Sequence, residues 1–145
     1  MPKKEIEVIH TSDNDPKWNM PYAPAIKVHS GATVWVAGVT AAPVYHSHPH
    51  IKEEFDNIPE DPAEQARMTA ENLKNIIEAA GGNMGDIVQL FRFIVDIGKN
   101  QDAINATLAQ YFGDHRPVST TVEIVRLATD PRLVLELAAV AVVPE

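Results

Sequence analysis

The pattern of apolar and polar positions along the chain predicts six strands and two helices. Alternating or continuous runs of β-branched and aromatic residues mark the strands, whereas apolar residues spaced three and four apart mark the helices. The order is β, β, β, α, β, α, β, β, which predicts an α+β fold with both helices on one sheet face. The strand segments, the second of which holds two strands, are "EIEVIH", "AIKVHSGATVWVAGV", "DIVQLFRFIVDI", "STTVEIVRLA" and "RLVLELAAVAVV".

Two of these segments carry a more specific prediction. In "AIKVHSGATVWVAGV", two runs of strand-forming residues flank the small residues "SGA", which predicts a β-hairpin. The segment "DIVQLFRFIVDI" is almost continuously apolar, so we expect a strand that is covered on both faces.

The two helices are predicted from their start signals and their apolar stripes. Asp61 and Pro62 suit the cap and the first turn of a helix, which we expect to end at Gly81 and Gly82. The second helix is predicted to start near Asn100. The expected inward-facing positions are Ala66, Ala70, Leu73, Ile76, Ile77 and Ala80 in the first helix, and Ile104, Leu108, Tyr111 and Phe112 in the second.

The longest irregular stretch runs from 40 to 60 and contains three of the six histidines of the chain, at alternate positions. Residues two apart in an extended segment point the same way, about 6.5 to 7 Å apart, so two of His46, His48 and His50 suit chelation of Zn²⁺. Short histidine-rich tracts are also often only compositional. Three interpretations therefore stay open: a solvated or inter-subunit loop, a lid that faces the substrate, and a metal site.

Composition narrows the classes of function. The chain has 145 residues, which favours one domain over 1–145. Its formal charge of −8 argues against sequence-independent binding of nucleic acid, because such binding needs clustered Lys and Arg. There is no cysteine, so thiolate chemistry is excluded. Because no segment has the length of a membrane span or a signal peptide, we expect a cytoplasmic protein with no membrane partner.

Glu136 is the residue that stands out by physical chemistry alone. It is the only charged residue in "LVLELAAVAVV", and a carboxylate in a buried strand is costly unless it is paired, hydrogen-bonded or protonated with a raised pKa. Two alternatives stay open at this point, namely a carboxylate that points to solvent from an edge strand and one that is paired with an arginine. Carboxylates with perturbed pKa values are nevertheless common at functional sites.

Three blocks of the sequence resemble the Rid family, the YjgF-like reactive intermediate deaminases formerly described as endoribonucleases. These blocks are "EQARMTAENLKNIIEAAGGNMGDIVQLFRFIVDI", "YFGDHRPVSTTVEIVRL" and "LELAAVAV", and the resemblance extends from about 22 to 143. It implies a chorismate-mutase-like fold with two helices on one face of a mixed sheet. It also implies a homotrimer with three inter-subunit clefts, a small-molecule substrate and no cofactor or metal.

The resemblance also implies roles for individual residues. Glu136 matches the glutamate that positions and activates the attacking water, and Thr121 matches a position whose backbone groups hold that water. Tyr22 in "MPYAPA" matches a tyrosine that lines the ligand pocket. Gly38 matches a glycine whose backbone approaches the ligand, although the serine that commonly precedes it is here Ala37.

The main departure from the family pattern lies at Ser119. Deaminating members carry an arginine at this position, which clamps the substrate carboxylate through two parallel hydrogen bonds. Arg116 lies three residues earlier, about 10 Å along an extended segment, so it would replace this arginine only by reaching in from the loop. We expect Ser119 and Thr120 to donate hydrogen bonds to a neutral polar group instead. The long loop after Gly38 adds His48 to the candidate substrate-binding residues.

These observations favour a Rid-type enzyme that acts on an imine, an enamine or a related enol or carbonyl compound through water activation or proton transfer. A standard 2-imino acid substrate is not expected, because position 119 lacks the arginine. One alternative is a non-catalytic trimer that binds a small molecule. A metal-dependent enzyme built on the histidine-rich loop is the less favoured alternative.

Overall fold

The computed structural model describes residues 3–145, and in this range six strands and two α-helices follow the predicted order. The α+β fold class is thereby confirmed. Two short 3-10 helices were not predicted, and they span Lys52–Phe55 and Met84–Asp86. The strands are β1 (Glu5–Ile9), β2 (Ala25–Ser30), β3 (Ala32–Val39), β4 (Ile87–Val95), β5 (Val118–Ile124) and β6 (Leu135–Val143), and the helices are α1 (Pro62–Ala79) and α2 (Ile97–Phe112).

The described strands form two sheets. The larger sheet has four strands in the order β3-β6-β4-β5, and the smaller one consists of β1 and β2. In the larger sheet β4 pairs in parallel with β5, whereas the other pairs are antiparallel. The parallel pair is connected through α2, as the length of a parallel crossover requires.

The predicted hairpin between β2 and β3 is wrong. β2 pairs with β1, whereas β3 pairs with β6 in the other sheet. The connection is the single residue Gly31, whose φ of 127° bends the chain from one sheet into the next. A Cβ atom at Gly31 would lie only 2.4 Å from the Cγ1 atom of Val142, so glycine is required both for the backbone angle and for the close packing.

Both helices pack on the same face of the larger sheet, as predicted. Asp61 caps α1 by accepting a hydrogen bond from the amide of Ala63 at 3.3 Å. The core between helices and sheet is made of alternate residues of the two central strands and the apolar stripes of the helices. Its fully buried members include Ala66, Ala70, Leu73, Ile77, Ile104, Leu108, Leu90, Ile94, Leu135 and Leu137.

The second helix starts at Ile97, three residues before the predicted start. The carboxylate of Glu123 in β5 accepts a hydrogen bond from the amide of Ile97 at 2.9 Å and so satisfies a helix N-terminus. The Asn100 side chain instead donates to the Val95 carbonyl at 2.7 Å. Because the capping group is distant in sequence, the local sequence carries no signal that marks this helix start.

The second face of β4 and β6 is only partly covered within this chain, because Phe93 on this face packs against a buried cluster that includes Phe55 and Leu133 but stays half-buried. The prediction that β4 is covered on both faces therefore holds only in part for the single chain. Along β6 the burial alternates: Leu135 and Leu137 are fully buried under the helices, whereas Glu136 and Ala138 on the other face are partly exposed. We call this second side of the larger sheet the open face.

The long stretch from 40 to 60 is anchored at both ends. The Asn72 side chain of α1 donates to the carbonyls of Thr40 and Ala42 at 2.9 and 3.1 Å. The buried Gln65 amide donates to the carbonyls of Pro59 and Arg132, both at 2.8 Å, and its oxygen accepts from the amide of Val134 at 2.9 Å. Gln65 thus joins the end of the loop to the start of β6.

No helix in the part of the chain that the structure describes is both long enough and apolar enough to cross a membrane.

Candidate functional site

Glu136 lies on the open face of β6, directly opposite Phe93 of β4. Its carboxyl group packs against the backbone of Gly38. A Cβ atom built at Gly38 would lie 2.9 Å from the carboxyl carbon of Glu136 and 3.1 Å from each carboxylate oxygen. Glycine at position 38 therefore provides the space that the carboxyl group occupies.

Burial raises the pKa of Glu136 above its ordinary value. Loss of hydration disfavours the charged form of this carboxyl group, and no counterion offsets this effect. In the structure, Glu136 is therefore a partly buried carboxyl group that is not paired with an arginine among the described residues. A carboxyl group with a pKa shifted toward neutrality is suited to proton transfer.

A cavity of about 130 Å³ adjoins this carboxyl group. Glu136, Gly38, Thr40 and Ile76 line it together with His46 of the long loop. A volume of this size has room for roughly four water molecules, each of which takes about 30 Å³ in the liquid. His46 is therefore the histidine that reaches the cavity of Glu136.

His48, which was predicted to bind the substrate, does not line this cavity. Its ring is exposed and lies 4.7 Å from the ring of His46, measured between centroids. His46, His48 and His50 instead form a group in which one ligand atom from each side chain lies within 4.8 Å of the others. Among the described residues this group is the one with the composition and spacing of a metal site.

Tyr22 and Arg116 line a different and larger cavity of about 600 Å³, together with Trp18, Met20 and other residues of the loop before β2. Arg116 donates from Nη1 to the Gly113 carbonyl at 2.6 Å and from Nε to the Met20 carbonyl at 3.3 Å. These hydrogen bonds fix Arg116 to two loops. The structure therefore brings two predicted site residues together, but not beside Glu136.

The three predicted residues of β5 lie apart from Glu136 as well. β4 lies between β5 and β6, so β5 and β6 are separated by roughly 10 Å. Thr120 pairs with Phe91 and shares the open face. Ser119 and Thr121 have the opposite orientation along the strand, so they and Glu136 do not form one site within a single chain.

Arg92 is a charged residue in an otherwise largely apolar strand, and it was not among the predicted site residues. It lies in the apolar strand β4 and lines a cavity of about 320 Å³ with Asn105 and Arg116. Its Nη1 donates to the Asn105 side chain at 2.5 Å, whereas its buried Nε has no partner among the described residues. Burial lowers the pKa of Arg92. Like Glu136, Arg92 is a lone charged residue in an apolar strand, and this signal in the sequence marks both residues.

Comparisons with known proteins agree on one family. The sequence model described as Endoribonuclease L-PSP matches residues 12–143. A RutC family protein of Pyrococcus horikoshii is 32% identical over 135 residues, which cover 93% of this chain and 96% of that protein. The 2-iminobutanoate/2-iminopropanoate deaminase of Escherichia coli is 38% identical over 93 residues, 62% of this chain and 72% of the deaminase.

A solved structure supports the same fold. The crystal structure of a Rid family protein from Yersinia pestis matches with a TM-score of 0.75 and 24% identity. The match covers 95% of this chain and 98% of that chain.

The contact between Gly38 and Glu136 predicts the effect of Gly38→Ala. The added methyl group displaces the carboxyl group, which is the end of a flexible side chain, so we expect the unfolding free energy to change by less than about 1 kcal/mol. Displacement toward water removes the effect of burial, so the pKa of Glu136 falls toward its ordinary value. Carboxyl ¹³C NMR titration and urea denaturation measure the two quantities.

The matched control is Gly98→Ala, where a Cβ atom meets nothing within 4 Å. This variant should leave the pKa of Glu136 unchanged. An unchanged pKa in Gly38→Ala as well would show that Gly38 does not position the carboxyl group.

Proposed function

The chain belongs to the Rid (YjgF-like) family, and we propose that it is a Rid-type enzyme acting on a small reactive catabolic intermediate, either an imine, an enamine or a related enol or carbonyl compound. The observation that carries this proposal is the partly buried carboxyl group of Glu136, held against Gly38 beside a small cavity. A relative named 2-iminobutanoate/2-iminopropanoate deaminase supports the same class of chemistry.

In this proposal Glu136 acts as general base and then as general acid. For an imine, the carboxylate of Glu136 takes a proton from water while the water oxygen bonds to the imine carbon, and Glu136 then gives this proton to the nitrogen to form a carbinolamine. Glu136 next takes the proton of the carbinolamine hydroxyl and gives it to the nitrogen, so that ammonia leaves as the C=O bond forms. One imine and one water thus yield one carbonyl compound and one ammonia. The pKa raised by burial brings the carboxyl group closer to working pH, where such transfers are most efficient.

We further propose that the active unit is a homotrimer whose clefts combine residues of two neighbouring chains. Two observations support this arrangement. Glu136 lies far from Ser119 and Thr121 within one chain, so a neighbouring copy is needed to complete the cleft. The open face also exposes apolar side chains, with Trp35 79% and Val122 42% exposed, and such a patch is typical of an interface.

The substrate is proposed to lack a carboxylate at the place where deaminating relatives hold one. Ser119 has no charge to offer, and a charge-assisted hydrogen bond contributes about 1.5 to 3 kcal/mol. Ser119 and Thr120 suit a neutral hydrogen-bonding group, and the backbone of Thr121 suits the water. The net charge of −8 does not favour a nucleic acid substrate.

Glu136→Gln tests the role of the carboxyl group. We expect kcat/KM to fall by about 100-fold or more, the usual loss on removal of a general base. In the unmodified chain the rate should fall as the pH decreases through the raised pKa of Glu136, because the base must be ionised. This acidic limb should be absent in Glu136→Gln. Rates are measured on imines generated in situ by an oxidase, with ammonia release as the signal.

Stability measurements separate this effect from unfolding. A raised pKa means that folding favours the protonated carboxyl group. Its contribution to the free energy of unfolding is therefore present at low pH and is lost as the pH rises through that pKa. Glu136→Gln should therefore be no less stable than the original chain at neutral pH. Glu78→Gln, at an exposed position of α1, is the matched control and should keep full activity. Unchanged turnover in Glu136→Gln would refute the proposed role.

Ser119→Arg tests the choice of substrate. We expect the original chain to hydrolyse a carboxylate-free imine faster than 2-iminopropanoate. Restoring the arginine should raise kcat/KM for 2-iminopropanoate by roughly tenfold or more, because it supplies a charge-assisted contact. Ser119→Gln, which adds length without charge, should give no such gain. Faster turnover of 2-iminopropanoate by the original chain would contradict the argument from Ser119.

Mixed trimers test whether each cleft uses two chains. Tyr22→Ala and Glu136→Gln chains should each be inactive alone. When both are co-expressed in equal amounts, about one quarter of the clefts should combine an intact Tyr22 with an intact Glu136 and regain activity. Light scattering gives the molar mass of the assembly. A monomeric mass, or a mixture as inactive as its components, would count against the shared cleft.

A further inference from the structure

The three histidines of the long loop form a compact group. The ring centroids of His46, His48 and His50 lie between 4.7 and 5.1 Å from one another. One ligand nitrogen of each ring lies within 4.8 Å of the other two. Three imidazole nitrogens gathered around one point are the arrangement that a shared cation requires.

One of the three rings already has the hydrogen bond of a metal ligand. The Nδ1 atom of His46 lies 2.9 Å from the carbonyl oxygen of Pro43. Because a carbonyl only accepts hydrogen bonds, Nδ1 carries the proton and Nε2 presents its lone pair. Metal-binding histidines commonly donate from the second ring nitrogen to a carbonyl or carboxylate in this way.

The loop that carries the histidines is fixed by packing and by a carboxylate. The rings of His46 and His50 pack against Phe55 at 5.1 and 5.2 Å, and Phe55 is only 3% exposed. The carboxylate of Glu54 accepts from the amide of Ser47 at 3.0 and 3.1 Å. These contacts order the segment between His46 and His50 on a buried base, as a binding site requires.

We propose that His46, His48 and His50 bind one first-row transition-metal cation of the Zn²⁺ type. Imidazole ligands select such cations over Mg²⁺ and Ca²⁺, which prefer oxygen. With Zn–N distances of about 2.0 to 2.1 Å, tetrahedral geometry needs nitrogens about 3.4 Å apart, so the ligand atoms, which lie within 4.8 Å of one another, must move closer on binding. Three protein ligands leave a fourth position for water or a small ligand.

The proposed cation lies at the rim of the cavity of Glu136, because His46 lines that cavity. The metal site does not depend on the proposed hydrolytic function, since its ligands and Glu136 are different residues. Metal binding can therefore be tested without any assay of turnover.

Binding of Zn²⁺ and Co²⁺ tests the proposal on the full chain prepared without a polyhistidine tag. Titration calorimetry should give one cation per chain, and bound Co²⁺ should show the intense visible absorption of a four-coordinate site. His46→Asn, His48→Asn and His50→Asn should each weaken Zn²⁺ binding by about 10- to 100-fold or more. The matched control is His29→Asn, whose ring lies elsewhere and contacts Glu7 at 3.0 Å.

Circular dichroism shows whether each variant remains folded, and Glu136→Gln should bind Zn²⁺ as the original chain does. The proposal is overturned if the folded original chain binds neither cation, or if the three histidine variants bind Zn²⁺ as tightly as His29→Asn.

Discussion

The alternation of side chains along β6 is the constraint on which the candidate site depends. The helices need Leu135 and Leu137 on their side of the sheet to complete the core, and the period of two then places Glu136 on the open face. In the neighbouring strand β3, Gly38 leaves space for the carboxyl group. The core and the site are therefore set by the same register, and a shift of one residue would bury the carboxyl group under the helices.

The open face connects this carboxyl group to the proposed assembly. A four-stranded sheet with helices on only one side leaves apolar residues such as Trp35 and Val122 in contact with water. A neighbouring copy that packs on this face would remove these side chains from water. In the proposed trimer, this packing also brings the edge strand β5 of one chain toward Glu136 of another. Assembly and completion of the cleft are then one event, since both follow from covering the open face.

The sequence predicts the local features better than the long-range ones. The cap at Asp61 and the stripe of α1 from Ala66 to Ile77 agree with the prediction because their signals lie within a few residues of one another, whereas Ala80, also predicted to face inward, is exposed beyond the helix end. The hairpin failed because alternation marks a strand without naming its partner, and Gly31 directs β3 into another sheet. Glu136 was found as a lone charge in an apolar strand. The grouping of the three histidines depends on burial of Phe55, which their spacing alone does not encode.

Arg92 and Arg116, two arginines near β5, are engaged by other groups of the chain and are therefore poorly placed to replace the carboxylate clamp that is absent at Ser119. A bidentate clamp needs two neighbouring N–H groups of one guanidinium, either Nε with one Nη or both Nη groups. In Arg116, Nε donates to the Met20 carbonyl and Nη1 donates to the Gly113 carbonyl. Both pairs of neighbouring N–H groups that could form a clamp therefore contain a nitrogen that already donates to a carbonyl. In Arg92, Nη1 is engaged by Asn105 and Nε is buried. Through these hydrogen bonds the two guanidinium groups hold the loops and α2 in place, which supports the proposal of a substrate without a carboxylate at this position.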